Sequence, residues 1–333
     1  MSNLYDLGVQ LILYLQGLGG WLLAPMETLS SLGSEQFFLL VMPFLYWCLE
    51  PALGARIGLV LLLSNGFNSI LKLAFQTPRP FWYTREVAAH AYESTFGIPS
   101  GHAQNAAAIW GVLAAVLKRA WFWGFLIALV FLIGLSRVYL AVHFPQDVIV
   151  GWLIGIMVVW AYTRLEMPVK NWLVRQNPAV QISIAFFTSL VLLGVFGSIR
   201  IMMADYQLPV EWVENAQAAF PDEPPINPLS PDGILTAAGA FFGFSAGLIW
   251  LNRRGGFDVR GSWWQRGLRF LIGLAGLLLL WAGLGAVFPE GQAILAYVLR
   301  YLRYALVGAW VSGFAPIVFI WFGLAKRIEL LRT

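Results

Sequence analysis

The chain has 333 residues, 59% of them apolar and only 11% charged, with a mean hydropathy of +0.72. Soluble domains carry about 25% charged residues, so the composition excludes an ordinary soluble enzyme and predicts an all-α polytopic membrane protein. The formal charge of +4 is not a nucleic-acid footprint, because Lys and Arg collect in the cytoplasmic loops of membrane proteins, and no nucleic-acid partner is expected.

The first segment, MSNLYDLGVQLILYLQGLGG, lacks the basic start of a signal peptide. Its Leu4, Leu7, Leu11, Ile12 and Leu15 recur at helical spacing, which predicts an amphipathic helix lying in the membrane interface over residues 1–20. A bilayer core of about 30 Å needs about 17 to 25 apolar residues per helix. Nine segments meet or approach that length: 35–50, which contains Pro43, then 54–75, 102–118, 121–141, 145–165, 181–203, 233–251, 267–288 and 304–325. The expected organisation is the interfacial helix, a membrane core over 21–203, a Pro-rich acidic loop over 204–232, and additional transmembrane helices over 233–333. The single cysteine, Cys48, excludes an intrachain disulfide.

Basic residues orient these spans. With the N-terminus outward, the inward loops and tail hold Arg56, Lys118, Arg119, Arg164, Lys170, Arg175, the cluster Arg253, Arg254, Arg260, Arg266 and Arg269, and finally Lys326, Arg327 and Arg332. That bias predicts an N-out, C-in chain. Arg300 and Arg303 oppose it and read as anchors to lipid headgroups, beside Tyr301 and Tyr304. The 204–232 loop has acidic residues but no Lys or Arg, and is expected to form an ordered cover.

Three polar clusters then fall on the outward side: KLAFQTPRP (72–80), IPSGHAQN (98–105) and SRVYLAVHFPQD (136–147). Lys72, Arg79 and Arg137 supply three cations, and a guanidinium fork matches phosphate oxygens. Ser100 and Gly101 precede an apolar helical run, so backbone N–H groups there make an anion site, with the Ser100 hydroxyl able to cap the helix. Asp147 follows His143 by four residues and can accept from one imidazole nitrogen, leaving the other to attack phosphorus. His102 is placed to act as general acid. No Asp/Glu cluster calls for a metal, and no cofactor is expected. His90 reads as part of a solvated loop with Tyr83, Arg85, Glu86, Tyr92 and Glu93.

K-x6-RP, PSGH and SR-x5-H-x3-D, in that order, resemble the tripartite signature of the type 2 phosphatidic acid phosphatase superfamily, whose members include membrane lipid phosphatases, glucose-6-phosphatase and vanadium haloperoxidases. The resemblance covers about residues 35 to 165. It implies an α-helical, six-helix-type phosphatase core, a phosphohistidine at His143, orientation by Asp147, and His102 as acid and later base. It assigns Lys72, Arg79, Ser100, Gly101 and Arg137 to the phosphate and implies metal independence. PRPFWY and SRVYLAVHFP are similar to glucose-6-phosphatase, and LGSEQFFLLVMPFLYW is similar to sphingosine-1-phosphate phosphatases.

The expected activity is hydrolysis of a lipid phosphate or diphosphate at the outward membrane face, with membrane lipids as surroundings. Hydrolysis of a soluble phosphoester in the manner of glucose-6-phosphatase is the alternative, and lipid transport a third reading. The scarcity of cysteine and the lack of a retention signal point to a bacterial cytoplasmic membrane with the site facing the periplasm or exterior. An endoplasmic-reticulum membrane with a lumenal site has the same topology.

Overall fold

A computed structural model describes residues 2–289 and 291–328; Arg332 of the expected inward tail lies outside them. Among the described residues the regular structure is helical, apart from an isolated bridge between Asp258 and Lys326. In chain order the helices are α1 (Ser2–Gly17), α2 (Leu23–Ser31), α3 (Glu35–Phe44), α4 (Pro51–Phe75), α5 (Pro80–Tyr83), α6 (Gly101–Leu117), α7 (Ala120–Tyr139) and α8 (Pro145–Val174). After them come α9 (Pro178–Met202), α10 (Val210–Ala219), α11 (Asp232–Asn252), α12 (Trp263–Leu278), α13 (Leu284–Val287), α14 (Ile294–Ala309) and α15 (Ala315–Trp321). Proline opens α4, α5, α8 and α9, where its missing N–H costs nothing and its fixed φ suits the first turn. Ser262 and Gln265 close a capping box on α12.

Among the described residues seven helices are long and apolar enough to cross a membrane, or eight if the bent pair at the N-terminus is one span. All nine expected segments are helical, but two are not among these seven. One is Glu35–Leu49, where α3 contains Pro43 and ends in a π-turn over Leu45–Leu49. The other is α6, whose 17 residues rise about 26 Å before Lys118 turns left-handed and ends it. The N-terminal segment also differs from a lone interfacial helix: α1 turns by 92° into the stretch Gly20–Ser31. Gly19 makes the corner at φ +122°, a conformation open to glycine and strained for other residues.

The chain divides into two compact units. The first comprises Met1–Phe38, Phe67–Thr163 and Val195–Ser230. Within it, α6 and α8 cross closely because Gly151 has no side chain: a Cβ there would lie 2.7 Å from the Ser100 carbonyl oxygen and 3.1 Å from Ala103 Cβ. The residues after α9 are ordered. Phe220 packs on Phe81 and Trp212 on Trp82, with ring centroids 5.5 and 6.3 Å apart. Asn215 donates to the Trp82 carbonyl at 3.0 Å and accepts from Arg85 at 2.6 Å. Tyr92 donates to the Pro224 carbonyl at 2.7 Å. The acidic segment is therefore held against residues 81–92. His90 stacks on Tyr139 and donates its backbone N–H to Leu140, so it has protein partners.

The second unit comprises Leu39–Gly66, Arg164–Gly194 and Pro231–Thr333. Helices α11 and α14 approach through small residues: Gly239 and Gly243 face the backbone at Tyr301 and Ala305, and Gly308 faces Ala240. Close backbone approach of this kind drives helix association in lipid through van der Waals contact. Arg300 pairs with Asp232 at 3.5 Å, and Arg303 lies over the rings of Trp281 and Tyr304. The two arginines read from sequence as headgroup anchors thus find partners within the protein. Trp263 and Trp264 are 75% and 63% exposed at the start of α12, as interfacial residues would be.

Candidate active site

All eight residues singled out in the sequence lie in the first unit. Lys72 sits in the last turn of α4, Arg79 is the N-cap of α5, and Ser100 is the N-cap of α6. Gly101 and His102 open α6, Arg137 ends α7, and His143 occupies the turn before α8, in whose first turn Asp147 lies. Arg79, Ser100, Arg137, His143 and Asp147 are each at most 3% exposed. Buried charges persist only when paired or hydrogen-bonded.

His143 Nδ1 lies 3.1 Å from Asp147 Oδ2, and the same oxygen accepts the Phe144 N–H at 2.9 Å. On the other side of the ring, Arg79 Nη1 is 3.2 Å from His143 Nε2. Arginine can only donate, so Nε2 is the acceptor. Nδ1 then carries the proton and donates it to Asp147. The two neighbours fix the tautomer in which the Nε2 lone pair faces the cations. Burial first, and then the charges of Arg79, Lys72 and Arg137, push the imidazole well below its ordinary pKa, so it is neutral at pH 7.

The helix start is tied to this pair. Ser100 donates its N–H to the Asp147 carbonyl at 3.0 Å, and its hydroxyl accepts from Ala103 N–H at 3.5 Å. Asn68 on α4 bridges the Pro99 carbonyl and Gln104 Oε1, fixing the segment that presents Gly101 and His102. Gly97 leaves room for Asp147: a Cβ there would lie 3.0 Å from Asp147 Oδ2 and 2.6 Å from the Pro78 carbonyl oxygen.

The cations share partners that sequence reasoning did not single out. Glu93, which the sequence places in a solvated loop, accepts from Arg137 Nη2 at 2.6 Å and from Arg79 Nη2 at 3.3 Å. Burial would raise its pKa, but Arg79, Arg137 and Lys72 outweigh burial and hold the carboxyl well below the usual range. Thr95 Oγ1 accepts from Lys72 at 2.8 Å and from Arg79 at 3.1 Å. Ser30 at the end of α2 accepts from Arg137 Nη1 at 2.6 Å. Arg137 Nε, also buried, has no partner among the described residues. One signal for Glu93 existed in the sequence: three motif cations with only Asp147 among them leave a charge to balance.

This arrangement can hold an oxyanion between guanidinium and ammonium groups beside a neutral, oriented imidazole. Among the described residues no group of three or more His, Cys, Asp or Glu could hold a metal ion.

Comparison with known proteins agrees with this chemistry. Residues 53–170 match the family model "PAP2 superfamily", and residues 235–327 match "PAP2 superfamily phosphatase, transmembrane extension". Phosphatidylglycerophosphatase B of Bacillus subtilis is 30% identical over 45% of this chain and 78% of its own length. Human glucose-6-phosphatase 2 is 23% identical over 95% of this chain and 96% of its own. Mouse sphingosine-1-phosphate phosphatase 1 is 28% identical over 43% of this chain and 34% of its own length. The crystal structure of the Bacillus subtilis PAP2-type phosphatidylglycerolphosphate phosphatase covers 50% of this chain and 87% of its own, at a TM-score of 0.43 and 24% identity. The chain is an integral membrane protein and belongs to the PAP2 superfamily of phosphatases.

Proposed function

We propose that the protein hydrolyses a phosphate monoester through a phosphohistidine at His143, without a metal, at the outward membrane face. The observation that carries this reading is the pairing of His143 with Asp147 on one nitrogen and with Arg79 on the other. The Nε2 lone pair attacks phosphorus as the P–O bond to the leaving group breaks, and His102 gives its proton to the departing oxygen. Asp147 stabilises the positive charge that develops on the imidazole. Lys72, Arg79, Arg137 and the backbone N–H groups at the start of α6 neutralise charge on the phosphoryl oxygens. Water then attacks phosphorus, His102 takes its proton, and the P–N bond breaks with its electron pair returning to Nε2.

For the leaving alcohol we favour a small hydroxylated group, because the match to glucose-6-phosphatase 2 runs through both family regions and nearly the whole chain. The acidic segment held against residues 81–92 would serve as the polar cover that such a substrate needs. A lipid phosphate or diphosphate is the second reading. It is supported by the lipid-phosphatase relatives and by an apolar groove of about 430 Å³ walled by Trp110, Trp123, Trp152 and Trp160 on α6, α7 and α8.

The test is phosphate release in detergent from glucose 6-phosphate, phosphatidic acid, sphingosine 1-phosphate and a polyprenyl diphosphate, with His143→Ala as control. His143→Ala is expected to lose at least about a thousandfold in turnover and to keep its melting temperature. A folded, fully active His143→Ala protein would sink the mechanism. Release from lipids alone would select the second reading.

A further inference from the structure

Glu93, together with Thr95 and Phe96, supplies acceptors to the cations of the cradle. Its two carboxylate oxygens divide between two guanidinium groups: Oε1 takes Arg137 Nη2 and Oε2 takes Arg79 Nη2. A planar carboxylate shared between two arginines uses the same N–H groups that a phosphate would use. Around it, Thr95 Oγ1 accepts from Lys72 and Arg79 Nη2, the Phe96 carbonyl also accepts from Arg79 Nη2, and the Thr95 carbonyl accepts from Arg79 Nε. Residues Glu93–Phe96 therefore offer acceptors to all three cations, and Glu93 alone among them carries charge. Its side chain keeps 26% exposure, so it has somewhere to go.

We infer that Glu93 is a resident competitor for the phosphate position: substrate phosphate displaces it from Arg79 and Arg137, and its return helps to expel inorganic phosphate after hydrolysis. The inference rests on the reading above that these two arginines bind the phosphate. The physical reason for such a group is product release. Three cations closing on a dianion in a desolvated pocket bind it tightly, and an enzyme that holds ground state and product equally well gains nothing in turnover. A carboxylate that recovers the same hydrogen bonds when phosphate leaves lowers the affinity for substrate and product together. Displacement has a second effect. When Arg79 swings onto the phosphate it also releases His143 Nε2, to which Nη1 is bonded at 3.2 Å. The nucleophile is thus freed by the arrival of its target.

The experiment is the inhibition constant of inorganic phosphate, and the direct binding of orthovanadate, for the full chain in detergent and for Glu93→Gln. Glutamine keeps the size and can accept hydrogen bonds but removes the charge. The expected result is tighter binding of both anions by about tenfold, equivalent to roughly 1.4 kcal/mol, with KM and kcat falling together because release becomes slower. Unchanged or weaker anion binding in a folded Glu93→Gln protein would overturn the inference and make Glu93 a brace that positions the arginines. Should Glu93→Gln fail to fold, Glu93→Asp, with a shorter reach across the two arginines, is expected to bind phosphate more tightly than the natural chain, and weaker binding there would count equally against it. Failure of the natural protein to bind either anion would instead remove the phosphate-site reading on which the inference stands.

Discussion

At the scale of single residues, the site divides into groups that a motif announces and groups that only the folded chain reveals. His143 and Asp147 are four apart in sequence and across a helix start, so their contact follows from local geometry. His102 and Glu93 are different, because their relation depends on how the 84–100 segment returns to the cations. If His102 delivers the proton to the leaving oxygen, His102→Asn should lower turnover of an alkyl phosphate by about 10²- to 10⁴-fold. It should cost far less with p-nitrophenyl phosphate, whose leaving group needs no proton; an equal loss on both substrates would argue against the acid role. The buried imidazole also has a signature in stability. Its folded pKa lies below the ordinary 6.5, so below that pH the unfolded chain binds a proton that the folded one refuses, and stability falls as pH drops. Glu93, held below its ordinary 4.5, contributes stability that is present above 4.5 and is lost as pH falls through its folded value. Melting temperatures should therefore decline from about pH 6.5 downward and more steeply below about 4.5. His143→Ala should flatten the first part of that decline.

At the scale of helices, the site depends on how closely α6 and α8 cross. Gly151 sits against the Ser100 carbonyl, one turn beyond Asp147, so a side chain there would push the start of α6 away from the His143–Asp147 pair. Gly151→Val is expected to lower the melting temperature and to reduce activity by at least about tenfold, since overpacking a close contact costs roughly 1–3 kcal/mol. Gly124→Ala on α7, where an added Cβ meets nothing within 4 Å, should be neutral or slightly stabilising, and serves as the control. A Gly151→Val protein indistinguishable from this control in thermal melting and turnover would remove the helix-crossing argument. The helix scale is also where sequence reasoning was incomplete. A hydropathy window registers apolar content but not where a helix stops, so it placed 35–50 and 102–118 among the segments that meet or approach a span. Pro43 with its π-turn, and the left-handed Lys118, shorten the corresponding helices.

At the scale of the whole molecule, the proposed mechanism gives the cations in the site the work that a divalent ion does in many phosphatases. Lys72, Arg79 and Arg137 already converge on the acceptors of one short loop, and fixed positive charge of this kind stabilises a transferring phosphoryl group. Phosphate release should accordingly persist in excess EDTA. Inhibition by EDTA that is reversed by a divalent metal would contradict the mechanism.

The amino-acid sequence by itself determined that this is a helical membrane protein and named its three polar clusters. Hydropathy and charge are properties of a residue and its neighbours, and burying ions near the end of an apolar segment is costly enough to single them out. It also carried the His143–Asp147 pair, because a spacing of four around a helix start leaves little freedom. Tertiary structure alone decided that Glu93, Thr95 and Ser30 reach the same cations, and that the acidic segment after α9 is held over residues 81–92. Those contacts join residues tens to more than a hundred positions apart in the chain. They arise from the way loops fold back on a bundle to satisfy buried charges, which no local pattern records.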